Sequence, residues 1–237
     1  MLLARMVEGH GEVLAIDNNN DVIRQADEHT RTSGISNLTF EVGDAYKLPV
    51  PTESADLVLC NNLLCNLSDV ELAVQEMYRI TKRDRLLAVA EPAGKQQFYD
   101  PESKRSAYLS EKLNESLQRG WASKGADQSV GLRVPEILLR NGVKDIIAEA
   151  VCQIFLMCDP RREDQDIEDQ LRTEASVLPD ATLAMLKKGG MSEKEFKEHN
   201  FKAMKRLSGF ISNPDQVCDD GYVRVMSPLL LFVGKKP

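Results

Sequence analysis

Long hydrophobic runs are missing from this 237-residue chain: no uninterrupted apolar stretch approaches the roughly 18 residues of a membrane-spanning helix. No membrane segment is expected. The opening MLLARMVEGHGEV has one early arginine and a short apolar patch, without the longer apolar core and small-residue cleavage site of a secretory signal, so a cytoplasmic location is expected. Histidine is scarce, and His10, His29 and His199 stand too far apart in sequence for metal-ligand spacing or a paired base. No metal site is expected. The five cysteines, Cys60, Cys65, Cys152, Cys158 and Cys218, are odd in number and contain no CxxC pair, which argues against a zinc knuckle and for reduced, mostly buried thiols. An excess of positive charge is absent as well. Residues 1–99 hold nine basic against fifteen acidic side chains, and residues 100–237 hold 21 against 22, so neither part has the footprint of a nucleic-acid binder. There is no internal repeat and no low-complexity tract.

What is present is an ordinary globular composition, 42% hydrophobic and 28% charged, in a chain long enough for one α/β domain with an embellishment or for two small domains. Residues 13–16 (VLAI) form an apolar strand ended by Asp17, a helical pattern follows to a stop at Gly34, and LTFEV at 38–42 is the next strand. Continuous apolar strands joined by a helix point to a right-handed βαβ unit in a parallel sheet. A second unit follows: strand 56–60, a helix opened by Ser68 with Glu71 as a capping box, and strand LLAVAEP at 86–92. Val70, Ala73, Val74 and Met77 fall on one face of that helix.

From Asp100 the texture turns to charged helix, with Leu109, Leu113, Leu117 and Trp121 spaced by four. VPEILLRNG predicts a short helix with Pro135 in its first turn and Gly142 at its end. A long strand over 145–157, two or three amphipathic helices over 161–212 separated by Pro179 and Gly189-Gly190, and a closing strand over 222–234 complete the chain. The closing strand is expected to pair antiparallel with 145–157.

Acids at strand ends are the first candidates for chemistry. Asp17 sits where open α/β sheets bind ligands, and a carboxylate there can accept from both hydroxyls of a ribose, although it serves equally as a helix cap. Gly43-Asp44-Ala45 follows the next strand, where a carboxylate can accept from an adenine amino group; a plain Gly-Asp turn is the alternative. Asn61-Asn62 after the third strand stands between the same two readings. Tyr99, Tyr108 and Trp121 are either substrate wall or helical core. The charged segment 161–206 reads as a solvated helix face.

In the order EVLAID, LTFEVGDAYKLPVPTESADLVLCNNLLCNL and EMYRITKRDRLLAVAEP, the chain resembles the Rossmann-like (class I) methyltransferases that use S-adenosylmethionine. The resemblance is close over residues 1–92 and looser over 130–157 and 222–234. It implies an α/β fold with a mostly parallel sheet, an antiparallel last strand and a helical insertion at about 158–216. It divides the chain into a cofactor-binding part, 1–99, and a remainder, 100–237, that completes the sheet and carries the helical cap. By the same resemblance Asp17 binds the ribose, Asn18 borders the adenosine, Gly43, Asp44 and Ala45 lie at the adenine, and Asn61, more loosely with Asn62, adjoins the methionine end. The family's Lys-Pro-Gly-Gly turn is replaced by Thr81-Lys82-Arg83-Asp84. Its first strand and Gly-x-Gly-x-Gly loop would lie before Met1. The sheet is therefore expected to lack the shared neighbour of its first and third strands, and the chain to bind the cofactor weakly or not at all.

The implied activity is transfer of a sulfonium methyl to a small-molecule acceptor, a reaction that needs positioning rather than a dedicated catalytic triad and so leaves the catalytic residues unread. A second reading is a non-catalytic, methyltransferase-like binding or assembly protein. A third, a nicotinamide-dependent oxidoreductase, lacks its glycine fingerprint.

Overall fold

The computed structural model describes residues 2–94, 97–99, 103–176, 178–217, 221 and 223–237. A short helix, α1 (Leu2–Met6), leads into β1 (Val13–Asp17), α2 (Asn20–Thr32), β2 (Leu38–Val42), β3 (Ala55–Asn61), α3 (Val70–Ile80) and β4 (Thr81–Pro92). There follow β5 (Gln97–Tyr99), α4 (Lys104–Ala122), α5 (Val134–Arg140), β6 (Lys144–Val151) and β7 (Ile154–Leu156). The chain ends with α6 (Asp164–Ala175), α7 (Asp180–Lys188), α8 (Glu193–Ser212), α9 (Pro214–Val217), β8 (Val223–Val225) and β9 (Leu229–Lys235). Among the described residues no helix is long and apolar enough to cross a membrane.

The expected βαβ units are both present, with differences at their seams. Helix α2 is capped by Asn19, whose Oδ1 accepts from the amides of Asp21 (2.9 Å) and Val22 (3.3 Å), and it stops before Gly34 at φ +68°. Helix α3 is capped one residue later than the Ser68–Glu71 box predicts. Asp69 accepts from Leu72 N at 3.0 Å, while Glu71 instead accepts from Asn141 Nδ2 at 3.0 Å. Its predicted face is the buried one, Val70, Ala73, Val74 and Met77 together with Ile80. Thr81-Lys82-Arg83-Asp84 is strand rather than turn: Thr81 pairs with Ala55, and a register shift and a positive φ at Asp84 absorb the irregularity before Leu86.

The strands fall into a parallel pair β1-β2, a mixed sheet in the order β3-β4-β9-β6 and a small sheet β5-β8-β7. In the mixed sheet β3 and β4 are parallel, and β9 runs antiparallel to both β4 and β6, as predicted for the last strand. Among the described residues β1 has β2 as its one strand partner and β3 has β4, so one edge of each carries no ladder. The long 145–157 and 222–234 strands each break in two. Pro228 has no amide to donate, and the paired chains bend there together, so that β7 and β8 leave the mixed sheet and pair with each other. Tyr222 lies outside the described residues.

Helices α3 and α5 cover one face of the mixed sheet, where Leu87, Val89 and Phe232 meet Val74, Met77, Val134 and Leu138. The other face shows Leu57 46% and Ile147 66% exposed, so this sheet is packed on one side only among the described residues. A second core lies between β7, α6 and α8 (Phe155, Ile167, Leu171, Leu207, Phe210), and a third joins α4 to α7 through Leu109, Leu186 and Met191. Gly189 caps α7 and lies so close to α4 that a Cβ there would collide with the Ser116 carbonyl. Cys60 and Cys65 are buried as expected, but Cys152 and Cys158 are exposed, and Cys218 lies outside the described residues.

His199 is half-buried on α8, with Nε2 3.4 Å from the Ser110 hydroxyl. Burial, and after it the charges of Arg206, Arg224 and Lys202, hold its pKa below the usual 6.5. The folded chain therefore keeps His199 neutral while the unfolded chain takes up a proton near pH 6.5. This contribution to stability is complete above that value and lost as the pH falls through it. The thermal midpoint should drop between pH 7.5 and about 5.5, and less so in His199→Gln; superimposable pH profiles would disconnect His199 from unfolding.

Candidate functional site

Strands β1 and β2 are in register from Val13↔Leu38 to Asp17↔Val42, so the residues that follow them leave the same edge. Gly43 N donates to the Asp17 carbonyl at 3.0 Å, which sets Asp44 beside Asp17. Each aspartate is oriented by its own turn. Asp17 Oδ1 accepts from Asn19 N at 2.8 Å, and Asp44 Oδ1 accepts from Tyr46 N at 2.9 Å, leaving Oδ2 of each for a ligand. Asp17, Asn18 and Asp44 are exposed. Packing alone already requires Gly43: a Cβ would stand 2.7 Å from Ile16 Cγ2 and 2.8 Å from Pro49 Cδ.

Ala45 and Tyr46 turn from this edge onto the core of the mixed sheet. The Tyr46 hydroxyl accepts from the amides of Ser68 (3.1 Å) and Asp69 (3.2 Å), which ties the loop after β2 to the start of α3. Arg79 secures the rest of that loop by donating to the Leu48 and Val50 carbonyls while paired with Glu76.

Asn61 closes β3 opposite Ala90, and Asn62 turns away in the left-handed region (φ +52°) with its amide on the Ala90 carbonyl at 2.9 Å. The loop that follows is wound around a carboxylate that sequence reading passed over. Glu91, on β4, is fully buried; Oε1 accepts from Leu63 N (2.8 Å) and Leu64 N (2.7 Å), and Oε2 from Cys65 N (3.1 Å). Cys60 Sγ donates to Oε1 at 3.6 Å. Three successive amides aimed at one carboxylate make a cradle for charge, and the protein itself supplies the anion. Burial first, and then the Glu91 charge, raise the Cys60 thiol and push Cys65 up to about 12, so neither is a nucleophile at neutral pH. The available signal was an acid inside the apolar run of LLAVAEP.

Past Asn62 a cavity of about 530 Å³ opens between the strand ends of the mixed sheet and α4. That volume suits a small organic ligand. Six amide side chains line it: Asn62, Asn66, Asn114, Gln118, Gln128 and Gln153. Leu117, Trp121, Val151, Met226 and Leu229 supply the apolar wall. Of the aromatic candidates, Trp121 faces this cavity, whereas Tyr108 is 45% exposed, outside its lining and flanked by Arg105 and Lys112. The side chain of Tyr99 lies outside the described residues. Among the described residues no cluster of His, Cys, Asp or Glu could hold a metal ion.

A profile described as a methyltransferase domain matches residues 1–137, more than half of the chain. The chain belongs to the methyltransferase domain family. This membership decides against the nicotinamide-dependent reading. YcgJ of Bacillus subtilis, an uncharacterized methyltransferase, is 32% identical over 73 residues, which cover 31% of this chain and 29% of that protein. Among solved structures, a methyltransferase of Bacillus halodurans aligns over 95% of this chain and 83% of its own with a TM-score of 0.54 at 14% identity. The Haemonchus contortus phosphoethanolamine N-methyltransferase 2, solved with phosphomonomethylethanolamine and S-adenosylhomocysteine, aligns over 99% of this chain and 46% of its own, with TM-score 0.50 and 15% identity. At such identities the likeness is one of fold, that of Rossmann-like methyltransferases. The chain spans about a third of the length of the curated relatives it matches.

The family's cofactor is S-adenosylmethionine, and the donor set of this methyltransferase domain suits it. Two carboxylates held side by side, each with an oxygen to spare, match the hydroxyl and amino donors of an adenosine.

Proposed function

We propose that the chain transfers a methyl group from S-adenosylmethionine to a small-molecule acceptor. The observation that carries this reading is a set of strand ends: Asp17 and Asp44 at the ends of β1 and β2, the loop after β2 tied by Tyr46 to the start of α3, and Asn61-Asn62 at the end of β3 with the cavity past Asn62. In this reading Asp17 accepts from the ribose hydroxyls, Asn18 borders the adenosine, Gly43 and Ala45 set the backbone beside the adenine, and Asp44 accepts from its amino group. Asn61 meets the methionine end. Residues 1–99 then form the cofactor part, and the remainder, with the helical layer, walls the acceptor.

When bound, the cofactor supplies a methyl carbon activated by a positive sulfonium, so the protein has chiefly to align a nucleophile with it. The described cavity walls agree with that economy. They hold no His, Asp or Glu, and their one thiol, Cys65, stays protonated. What the residues do is positional: Glu91 fixes the Asn61–Cys65 segment, and α4 brings Leu117 and Trp121 against it.

Calorimetric titration with S-adenosylhomocysteine tests the cofactor half of this reading, with saturable one-to-one binding expected. Absence of binding at millimolar ligand would sink it.

A further inference from the structure

Six amides and no charged side chain line the cavity among the described residues, an unusual balance in a chain that is 28% charged. We propose that the cavity takes an uncharged, flat acceptor that carries hydroxyl or N–H groups, such as a phenol or a hydroxylated heteroaromatic ring, and rejects carboxylate, phosphate and ammonium compounds. The proposal rests on the methyltransferase reading for the word acceptor and on the cavity alone for its chemistry.

The polar groups of the walls ask for donors. Asn66 gives its Nδ2 to the Asn62 carbonyl at 3.0 Å and Gln128 its Nε2 to the Cys65 carbonyl at 3.0 Å, which leaves the two amide oxygens as acceptors. A carboxylate or phosphate brings no donor for these oxygens and finds no Lys or Arg among the described lining residues to balance it. An ammonium brings donors but finds no carboxylate among the described lining residues, so either charge would be desolvated unpaired there. The remaining wall sets Leu117 and Trp121 of α4 with Met226 and Leu229, an indole and a thioether that favour the faces and edges of an aromatic ring.

Trp121 is the only tryptophan in the chain, so its fluorescence reports this cavity directly. The unmodified protein is titrated with three probes of one ring size: a dihydroxybenzene, benzoate and benzylammonium. The dihydroxybenzene should shift the Trp121 emission saturably and bind at least about tenfold more tightly than either charged probe. Equal or tighter binding of a charged probe would overturn the proposal, as would failure of all three probes to bind. A parallel titration with S-adenosylhomocysteine keeps the two claims apart. Cofactor binding with a preference for a charged ring removes only this inference, and a neutral-ring preference without cofactor binding removes only the methyltransferase reading.

Discussion

Glu91→Ala should unfold at markedly lower urea than the parent, with a loss of about 3–5 kcal/mol, because it strips the amides of Leu63, Leu64 and Cys65 of their common acceptor in a buried place. Each unsatisfied buried donor costs about 1–3 kcal/mol, and water entering the vacated space recovers part of the total. Glu91→Gln is the finer test. It keeps the shape and one carbonyl acceptor but turns an NH₂ group toward an amide N–H, so its loss should be about half as large. Because the loop carries Asn62, Cys65 and Asn66 into the cavity wall, the Trp121 emission of a still-folded Glu91→Gln protein should also shift. A Glu91→Gln protein that matches the parent in both urea midpoint and emission would show that the loop holds its shape without the carboxylate.

Glu91 also marks where sequence reading reaches its limit. Local signals carried far: the apolar runs ended by Asp17, Val42 and Pro92 are strands, the face of Val70, Ala73, Val74 and Met77 is buried, and Gly142 ends its helix at φ +88°. These follow from periodicity and from the few residues that tolerate special backbone angles, both written within a window of a few positions. The misses depend on partners distant in sequence. Whether Ser68 or Asp69 caps α3 turns on Tyr46, which takes up the Ser68 amide from 22 residues away. The break of the two long strands turns on Pro228 lying across from the chain near Val151. The amide lining of the cavity collects residues from the β3–α3 loop, from α4, from the segment after α4 and from the turn between β6 and β7, and no stretch of sequence shows more than two of them together. The strand-end positions of Asp17 and Asp44 were legible in the sequence, and the structure sets both at one edge of β1 and β2, whereas the packing of Gly43 against Ile16 and Pro49 needed coordinates.

The cofactor site has its own decisive substitution. Asp17→Ala should weaken S-adenosylhomocysteine binding roughly ten- to a hundredfold, the worth of one to two charge-assisted hydrogen bonds. Asp17 Oδ1 is already committed to Asn19 N at 2.8 Å, so alanine removes both the ligand acceptor and the turn that leads into the Asn19 cap of α2. Asp17→Asn separates the two effects. Its amide oxygen can keep the turn, while the charge and the second acceptor are gone, so affinity should fall while the thermal midpoint stays near the parent's. Asp44→Asn should cost less than Asp17→Asn, because one adenine amino group offers fewer donors to an acidic side chain than a pair of ribose hydroxyls. Titration calorimetry on the three variants, with thermal unfolding as the control, orders them. If Asp17→Asn binds S-adenosylhomocysteine as tightly as the parent while the parent itself binds, the nucleoside lies somewhere other than the edge of β1 and β2, and the nucleoside-binding roles of Asp17, Asn18 and Asp44 fall together.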